Sequence, residues 1–565
     1  MGLKTLLAVM ILGLLFCVGC AGVGTSPPEA TVVAPPPPPP QPQTPQDITA
    51  INHVVFMLQE NRSFDSYFGQ MGAYRAANGY GAAADVDGLP PGATNPADDG
   101  STVASFHFHT SCVENVTPDW LESHGDYHLY DAGSNVFLGN GFVHSGAGMA
   151  SFSGLVTTST QTAGTFMVQP TDTTNYYLFG STSTTSVPGW GLPLASILVT
   201  VNGSQTTANA ANVPTAAGVT FTADKTTINK GDTVTLTWSV PNVNQVMINS
   251  WYDQLGRRAM GYYDATDLPY YYFMASNFAT SDRWFAPMSG NSNPNRVYAV
   301  AATTHGHAHD PGSFDSSQVK NIFQLLDAAG VSWKIYTHDI DPMTKTPSTV
   351  LNRFQPFAGQ HAANIVPDTQ FVTDAQNGTL PAVSFIEDAS GLDEHPGATQ
   401  QGNIHSGNNV QYGAQYAAQM MNALMASPNW KDSVFFLTYD EGGGFYDHVS
   451  PQTAVSPDGI PPQDLEPKDI QYINPPADFT RTGFRVPLIV ASPFARKNYV
   501  SHNVADYTAI LKFIETRFKL PNLTARDAAQ MDMTEFFDFV TPPWTTPPTP
   551  PKQPSTLPCD YTNLK

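Results

Sequence analysis

Charge is what this chain has least of. Only 13% of its 565 residues are charged, and 25 basic residues stand against 47 acidic ones, for a formal net charge of −22. So few cations argue against a phosphate-backbone partner and against electrostatic docking on anionic lipid, and no nucleic acid is expected. Leu6–Val18 is apolar but too short to span a bilayer comfortably; with Lys4 before it, the stretch reads as the h-region of a signal peptide. Cysteine is scarce as well, with four in all. If Cys17 and Cys20 belong to targeting, Cys112 and Cys559 are the one pair left, either as a single disulfide in an oxidising compartment or as two free thiols.

What is present divides the chain. Residues 1–20 form the leader, and Cys20 after Val18 and Gly19 resembles a lipoprotein processing site, with plain secretion as the alternative. The expected location is therefore exported, as an outer-membrane or cell-surface lipoprotein or as a secreted protein, with any membrane association made through the N-terminal lipid. Residues 21–47 are a Pro-rich spacer with six consecutive prolines and no candidate core. An α/β body follows in two pieces, 48–145 and 251–540, and a Pro/Thr-rich tail occupies 541–565. Within the body, apolar strand-like runs at Val54–Leu58, Ser332–Tyr336, Ala382–Ile386, Val434–Tyr439 and Val486–Ala491 alternate with helices expected over 317–329, 410–425 and 507–518. That alternation implies a mainly parallel sheet covered on both faces.

Between the two pieces, residues 146–250 turn to Thr, Ser, Val and Asn with almost no charge and no helical period. Val234, Leu236 and Trp238 alternate with Thr, and Ile197, Val199 and Val201 alternate with polar neighbours, so this reads as an inserted all-β domain. Its segments resemble bacterial immunoglobulin-like modules in permuted order, which predicts a β-sandwich.

Two strands end alike. HVVFMLQENR places Glu60 and Asn61 after an apolar run, and VFFLTYDEGGG does the same with Asp440 and Glu441. In open α/β sheets, sites lie at the carboxyl ends of strands, and three carboxylates with one amide would hold a divalent cation through oxygen alone. The plainer reading makes Asp440 and Glu441 caps of the turn before three glycines. His124 and His128, at helical spacing, lack a third zinc ligand at suitable spacing. His305, His307 and His309 in THGHAHDPG read as an exposed polar loop or a second metal site. The aromatic runs YYYFM and DRWF could form a surface for lipid or choline, or equally be core.

QENRSFDSYFG, MGYYDATDLPYYY, NPNR, TYDEGGGFYDHVSP and RVPLIVASPFA, in that order, resemble the successive blocks of the bacterial phosphoesterase family that contains phosphatidylcholine-type phospholipases C and acid phosphatases. The blocks cover most of 48–539 outside the β insert. The resemblance implies an alkaline phosphatase-like α/β/α sandwich and one divalent metal ion held by Glu60, Asn61, Asp440 and Glu441. It places the nucleophile on Ser292, two residues before the proline of PNR, with Ser289 as a nearby decoy. It offers His124 and His395 as catalytic histidines that bind phosphoryl oxygens and protonate the leaving alcohol. His448, Arg62 and Asp65 would support the site's loops.

The implied activity is hydrolysis of a phosphoric ester through a phosphoserine on Ser292. Phospholipid is the first expectation for the substrate and a small phosphomonoester the second. A non-catalytic cell-surface binding protein is the third reading, and it is disfavoured because all four metal-ligand positions are filled.

Overall fold

The structure is a computed structural model that describes residues 47–96, 102–113, 118–124, 130–131, 136–137, 155–170, 173–182, 184, 194–203, 213–251, 257–341, 345–396, 409–466, 469–470 and 477–559. The leader, Cys17, Cys20, nearly all of the Pro-rich spacer and His128 lie outside these residues.

Eight strands make the central sheet: β1 (His53–Gln59), β2 (Ala279–Ser281), β3 (Trp333–Thr337), β4 (Ile365–Pro367), β5 (Val383–Ile386), β6 (Ser433–Tyr439), β7 (Leu488–Ala491) and β8 (Tyr499–Ser501). Their spatial order is β4-β3-β5-β1-β6-β7-β2-β8. The run from β4 to β6 is parallel throughout, β7 is antiparallel to both its neighbours, and β2 pairs in parallel with β8. All seven residues of β6 and six of the seven in β1 are buried, which requires cover on both faces. The cover comes from two sets of helices. In one, α2 (Pro269–Asn277) and α4 (Val410–Met425) contact each other, β6 and β7; in the other, α3 (Ser292–Ala301) packs on α5 (Thr508–Phe518). A short α1 (Phe64–Phe68) follows β1 at once, capped by Ser63 Oγ accepting from Ser66 N.

The sequence expectations for β1, β5 and β6 hold to within a residue or two at the ends, and α4 has the expected limits. The helix expected over 317–329 begins later, at Ile322, because Asn321 accepts from Gln324 N and closes a capping box there. The aromatic runs are core: Tyr270, Tyr271, Tyr272, Trp284 and Phe285 are buried, so they offer no lipid or choline surface.

From Leu155 to Trp251 the described strands form a five-stranded and a three-stranded sheet. Val234, Leu236 and Trp238 point inward as their alternation predicts, into an apolar cluster separate from that of the α/β body. The tail is strapped to the body rather than trailing from it. Trp430 Nε1 donates to Trp544 O at 2.9 Å, buried Gln553 donates to Asp267 O at 2.8 Å, and Cys112 and Cys559, 447 residues apart, are joined by a disulfide.

Candidate active site

In the ladder between β1 and β6, Gln59 faces Tyr439, so both strands run out at the same level. Asp440 N donates to Gln59 O at 3.0 Å, and Asn61 N donates to Asp440 Oδ1, also at 3.0 Å. Asn61 adopts a left-handed conformation with φ 60°, which Asn tolerates better than most residues. Gly443, also left-handed, passes so close that a Cβ there would lie 2.2 Å from Asn61 O, which explains a glycine at this point.

These contacts join Asn61 to Asp440, and their chain neighbours Glu60 and Glu441 stand at the same two strand ends, all four buried. Burial raises the carboxyls of Glu60 and Glu441 well above the ordinary range and raises Asp440 too. Glu441 Oε2 accepts from Gly443 N at 2.6 Å, while its buried Oε1 has no hydrogen-bond partner among the described residues. A buried carboxylate oxygen without a donor is costly unless a cation meets it, which suits Glu441 to a hard divalent ion, although Glu60, Asp440 and Glu441 are not gathered in a metal-sized cluster among the described residues.

Ser292 opens α3 behind Asn291, at a helix end where backbone N–H groups lack partners within the helix and the dipole favours an anion. Its Oγ donates to Asn61 Oδ1 at 3.2 Å. Ser289 is engaged elsewhere, donating to Thr482 O at 3.2 Å.

One helical turn beyond Ser292, Arg296 bonds Glu60 and Asp388, and its Nε lies 3.5 Å from Asp440 Oδ2. Asp388 follows the end of β5, and Asp393 is held near by Glu60 N donating to Asp393 O at 2.8 Å. Glu60, Asp388 and Asp393 offer oxygens close enough to share a cation. Burial, with Asp388 beside them, pushes Asp393 and Glu387 each up to about 7. Sequence reasoning missed Arg296, Asp388 and Asp393. Arg296 stands inside NPNR, and the strand-end rule that found Glu60 and Asp440 applies equally to Glu387 and Asp388.

His395 reaches the site, with Nε2 3.8 Å from Glu60 Oε2; burial, then Arg62 and Arg296, hold its imidazole down to about 4. His124 is buried against Trp120, with ring centroids 4.1 Å apart and Nδ1 2.7 Å from Trp120 O, and burial lowers it to about 4. Asp119, just before Trp120, accepts through Oδ1 from Asn291 Nδ2 at 2.9 Å beside Ser292.

Behind the first loop, Asp65 accepts from His448 Nδ1 at 2.6 Å and from Arg485 Nη2 at 2.9 Å, and Arg485 also donates to Asp447. Arg62 Nη2 donates to Glu394 O at 2.5 Å and its guanidinium covers Phe445. Arg62, Asp65 and His448 thus tie the β1 loop to the β6 loop. The buried Glu394 carboxylate accepts from the hydroxyls of Tyr67, Tyr271 and Tyr439 and from Gln59 Nε2. His307 and His309 each pair with an aspartate, Asp464 and Asp469, and are not gathered with His305 in any metal-sized cluster among the described residues.

Residues 51–189 and 194–521 match the family described as the Phosphoesterase family. Phospholipase C B of Mycobacterium tuberculosis is 33% identical over 316 residues, covering 50% of this chain and 57% of its own. Non-hemolytic phospholipase C of Pseudomonas aeruginosa is 28% identical over 335 residues, covering 53% and 46%, and non-specific phospholipase C4 of Arabidopsis thaliana is 32% identical over 281 residues, covering 46% and 48%. The chain spans about half the length of the curated relatives it matches. Among solved structures, the lipoteichoic acid synthase LtaP from Listeria monocytogenes aligns with TM-score 0.29 and 12% identity over 48% of this chain and 69% of its own. A 2-O GAG sulfatase aligns with TM-score 0.28 and 11% identity over 50% and 70%. Likeness at that level fixes no site residue.

Proposed function

The chain belongs to the phosphoesterase family, and from that premise we propose that it is a metal-dependent hydrolase of phosphoric esters, of phospholipase C type, acting through a covalent phosphoserine on Ser292. The observation that carries this reading is the 3.2 Å hydrogen bond from Ser292 Oγ to Asn61 Oδ1, where a helix N-terminus meets the two oxygen-bearing strand ends.

A divalent ion held by Glu60, Asn61, Asp440 and Glu441 would supply Lewis acidity, lowering the pKa of a nearby hydroxyl and neutralising phosphoryl oxygens. Asn61 orients the serine hydroxyl, and the first N–H groups of α3 face the charge that develops on the phosphoryl group. Ser292 Oγ forms a bond to phosphorus as the bond to the leaving alcohol breaks in line. His395, whose Nε2 lies 3.8 Å from Glu60 Oε2, takes the serine proton and then returns it to the departing alkoxide. Water attack on the phosphoserine, with the same groups in reverse, frees the enzyme. Arg296 holds Glu60, Asp388 and Asp440 together as a fixed positive charge among carboxylates.

A second reading, a phosphatase acting on phosphomonoesters, is favoured by one observation: the aromatic runs that would have met a lipid are buried. Hydrolysis of phosphatidylcholine and of p-nitrophenyl phosphate by the full chain separates the two, and release of phosphate from the second alone would remove the lipase reading. Ser292→Ala should abolish turnover while leaving the thermal unfolding curve in place; wild-type rates in that variant would move the nucleophile elsewhere, whereas no turnover of any phosphoric ester by the unaltered chain would favour the reading of it as a cell-surface binding protein.

The fold reading is an alkaline phosphatase-like α/β/α sandwich with an immunoglobulin-like insert at 146–250. The leader reading is export with a lipid on Cys20, tested by mass spectrometry of the mature N-terminus; an unmodified terminus would leave plain secretion.

A further inference from the structure

Beside Ser292 the body contains a cavity of about 130 Å³ whose walls are almost wholly polar. Asn293 and Arg296 of α3 form one side, and Asp339, Arg353, Glu387 and Asp388 lie around the rest. The cavity therefore begins within about one helical turn, ~5.4 Å, of the serine. Its walls bear two guanidiniums and three carboxylates, and both guanidiniums are already committed. Arg296 holds Glu60 and Asp388, and Arg353 donates to Asp310 Oδ1 at 2.7 Å and to Asn293 Oδ1 at 2.8 Å.

Asp339 accepts from Ser390 through both oxygens, its Oδ2 from Ser390 Oγ at 2.6 Å, but the other two carboxylates are only half committed. Glu387 Oε1 accepts from Thr349 Oγ1 at 2.6 Å and from Val350 N at 2.9 Å, and Asp388 Oδ1 is taken by Arg296. No protein donor among the described residues reaches the second oxygen of either. A ligand entering here meets acceptors and a surplus of negative charge, with no aromatic face on any wall.

We propose that this cavity is the subsite for the head group carried on the phosphorus, and that it takes a small group with N–H donors, an ethanolamine-type primary ammonium, in preference to a quaternary ammonium. The inference rests on the phosphoesterase reading above and deepens it. A primary ammonium brings three donors to the open carboxylate oxygens, whereas a quaternary ammonium has none and is recognised by aromatic cages. The spacing also fits: an extended two-carbon arm puts the nitrogen about 5 Å from phosphorus, which is close to one helical turn. The serine end of α3 suits the anion, and the cavity suits the cation.

Binding is read without turnover, by calorimetry of the full chain with Mn²⁺ present, using O-phosphoethanolamine and phosphocholine. Phosphoethanolamine should bind at least tenfold more tightly, and Glu387→Gln should cut that ratio at least fivefold; Asp339→Asn serves as the second variant if the first does not fold. The preference is a ratio of two ligands on one protein, so a general loss of structure does not mimic it. Equal affinities, tighter phosphocholine, or a ratio unmoved in a folded variant would overturn the subsite. The same pair of head groups on p-nitrophenyl phosphodiesters tests the underlying function separately. No hydrolysis of any ester, with the binding preference intact, would sink the enzyme reading and leave the subsite standing.

Discussion

Replacing Arg296 by methionine should destabilise the protein by about 3 kcal/mol at pH 7 and by far less near pH 4.5. The half-buried guanidinium stands among three carboxylates, bonded to Glu60 and Asp388 and 3.5 Å from Asp440. At an effective dielectric constant of 20, one such contact is worth on the order of 4–5 kcal/mol before desolvation, so three would sum to an implausible loss. Protonation sets the ceiling. A carboxyl that loses its cation escapes by taking a proton, and for a group with an ordinary value of 4.5 this costs at most about 3.4 kcal/mol at pH 7, at 1.36 kcal/mol per pH unit. Glu60 is already raised by burial, so its share is smaller. The sign follows: without Arg296 the folded-state values rise further, and a raised carboxyl value costs stability above the unfolded value and nothing below it. Urea unfolding of wild type and variant at pH 4.5 and 7 measures the difference. Saturating Mn²⁺ should recover more stability in the variant than in the wild type, since a divalent ion can answer the same carboxylates. A deficit equal at both pH values and indifferent to metal would show that Arg296 acts by packing, and would refute the charge argument.

Gly443→Ala should abolish the metal-induced rise in Tm, because its Cβ would lie 2.2 Å from Asn61 O and must push the two ligand-bearing loops apart; an unchanged rise would mean that the loops yield without losing the site. Cys559→Ser should cost about 2–5 kcal/mol in denaturant unfolding by releasing the strapped tail, and an unchanged midpoint would show that Trp544 and Gln553 hold it unaided. Burial, then Asp527 beside it, pushes Glu515 on α5 up to about 9, so the folded chain keeps a proton that the unfolded chain has lost. Stability should therefore fall as pH rises from about 5 towards 9, and Glu515→Gln should flatten that fall in Tm; the same slope in the variant would place the cause elsewhere.

Long elements with continuous apolar runs were legible, and short ones were not. β1, β5 and β6 and the 16-residue α4 announce themselves because each carries enough buried residues to set a pattern. β2, β4 and β8 are three residues each, too short for any period, and are strands only because a neighbour supplies the ladder. The ligand set was legible because it stands at the ends of the long strands. Arg296 was not, although it lies within a quoted motif, since nothing local says that an arginine four residues past a serine will meet three acids from three strands. The tyrosine run stays open for a similar reason. An aromatic run is equally a surface or a core in sequence, and here Tyr67, Tyr271 and Tyr439, from three distant segments, turn inward to satisfy one buried carboxylate.

Asn61 and Asp440 are 379 residues apart, yet the hydrogen bond between them needs no long loop to fold back and find its partner. β1 and β6 are adjacent and parallel, paired from His53↔Ser433 to Gln59↔Tyr439 without a break. Seven paired residues fix where both strands stop, and a slip of one would turn every buried side chain to the other face. The register that buries Val54–Leu58 is therefore the same constraint that sets Asn61 N against Asp440 Oδ1. The all-β unit lies within the long crossover between these strands, where it leaves that register untouched, because the sheet and not the connection sets the spacing of the site.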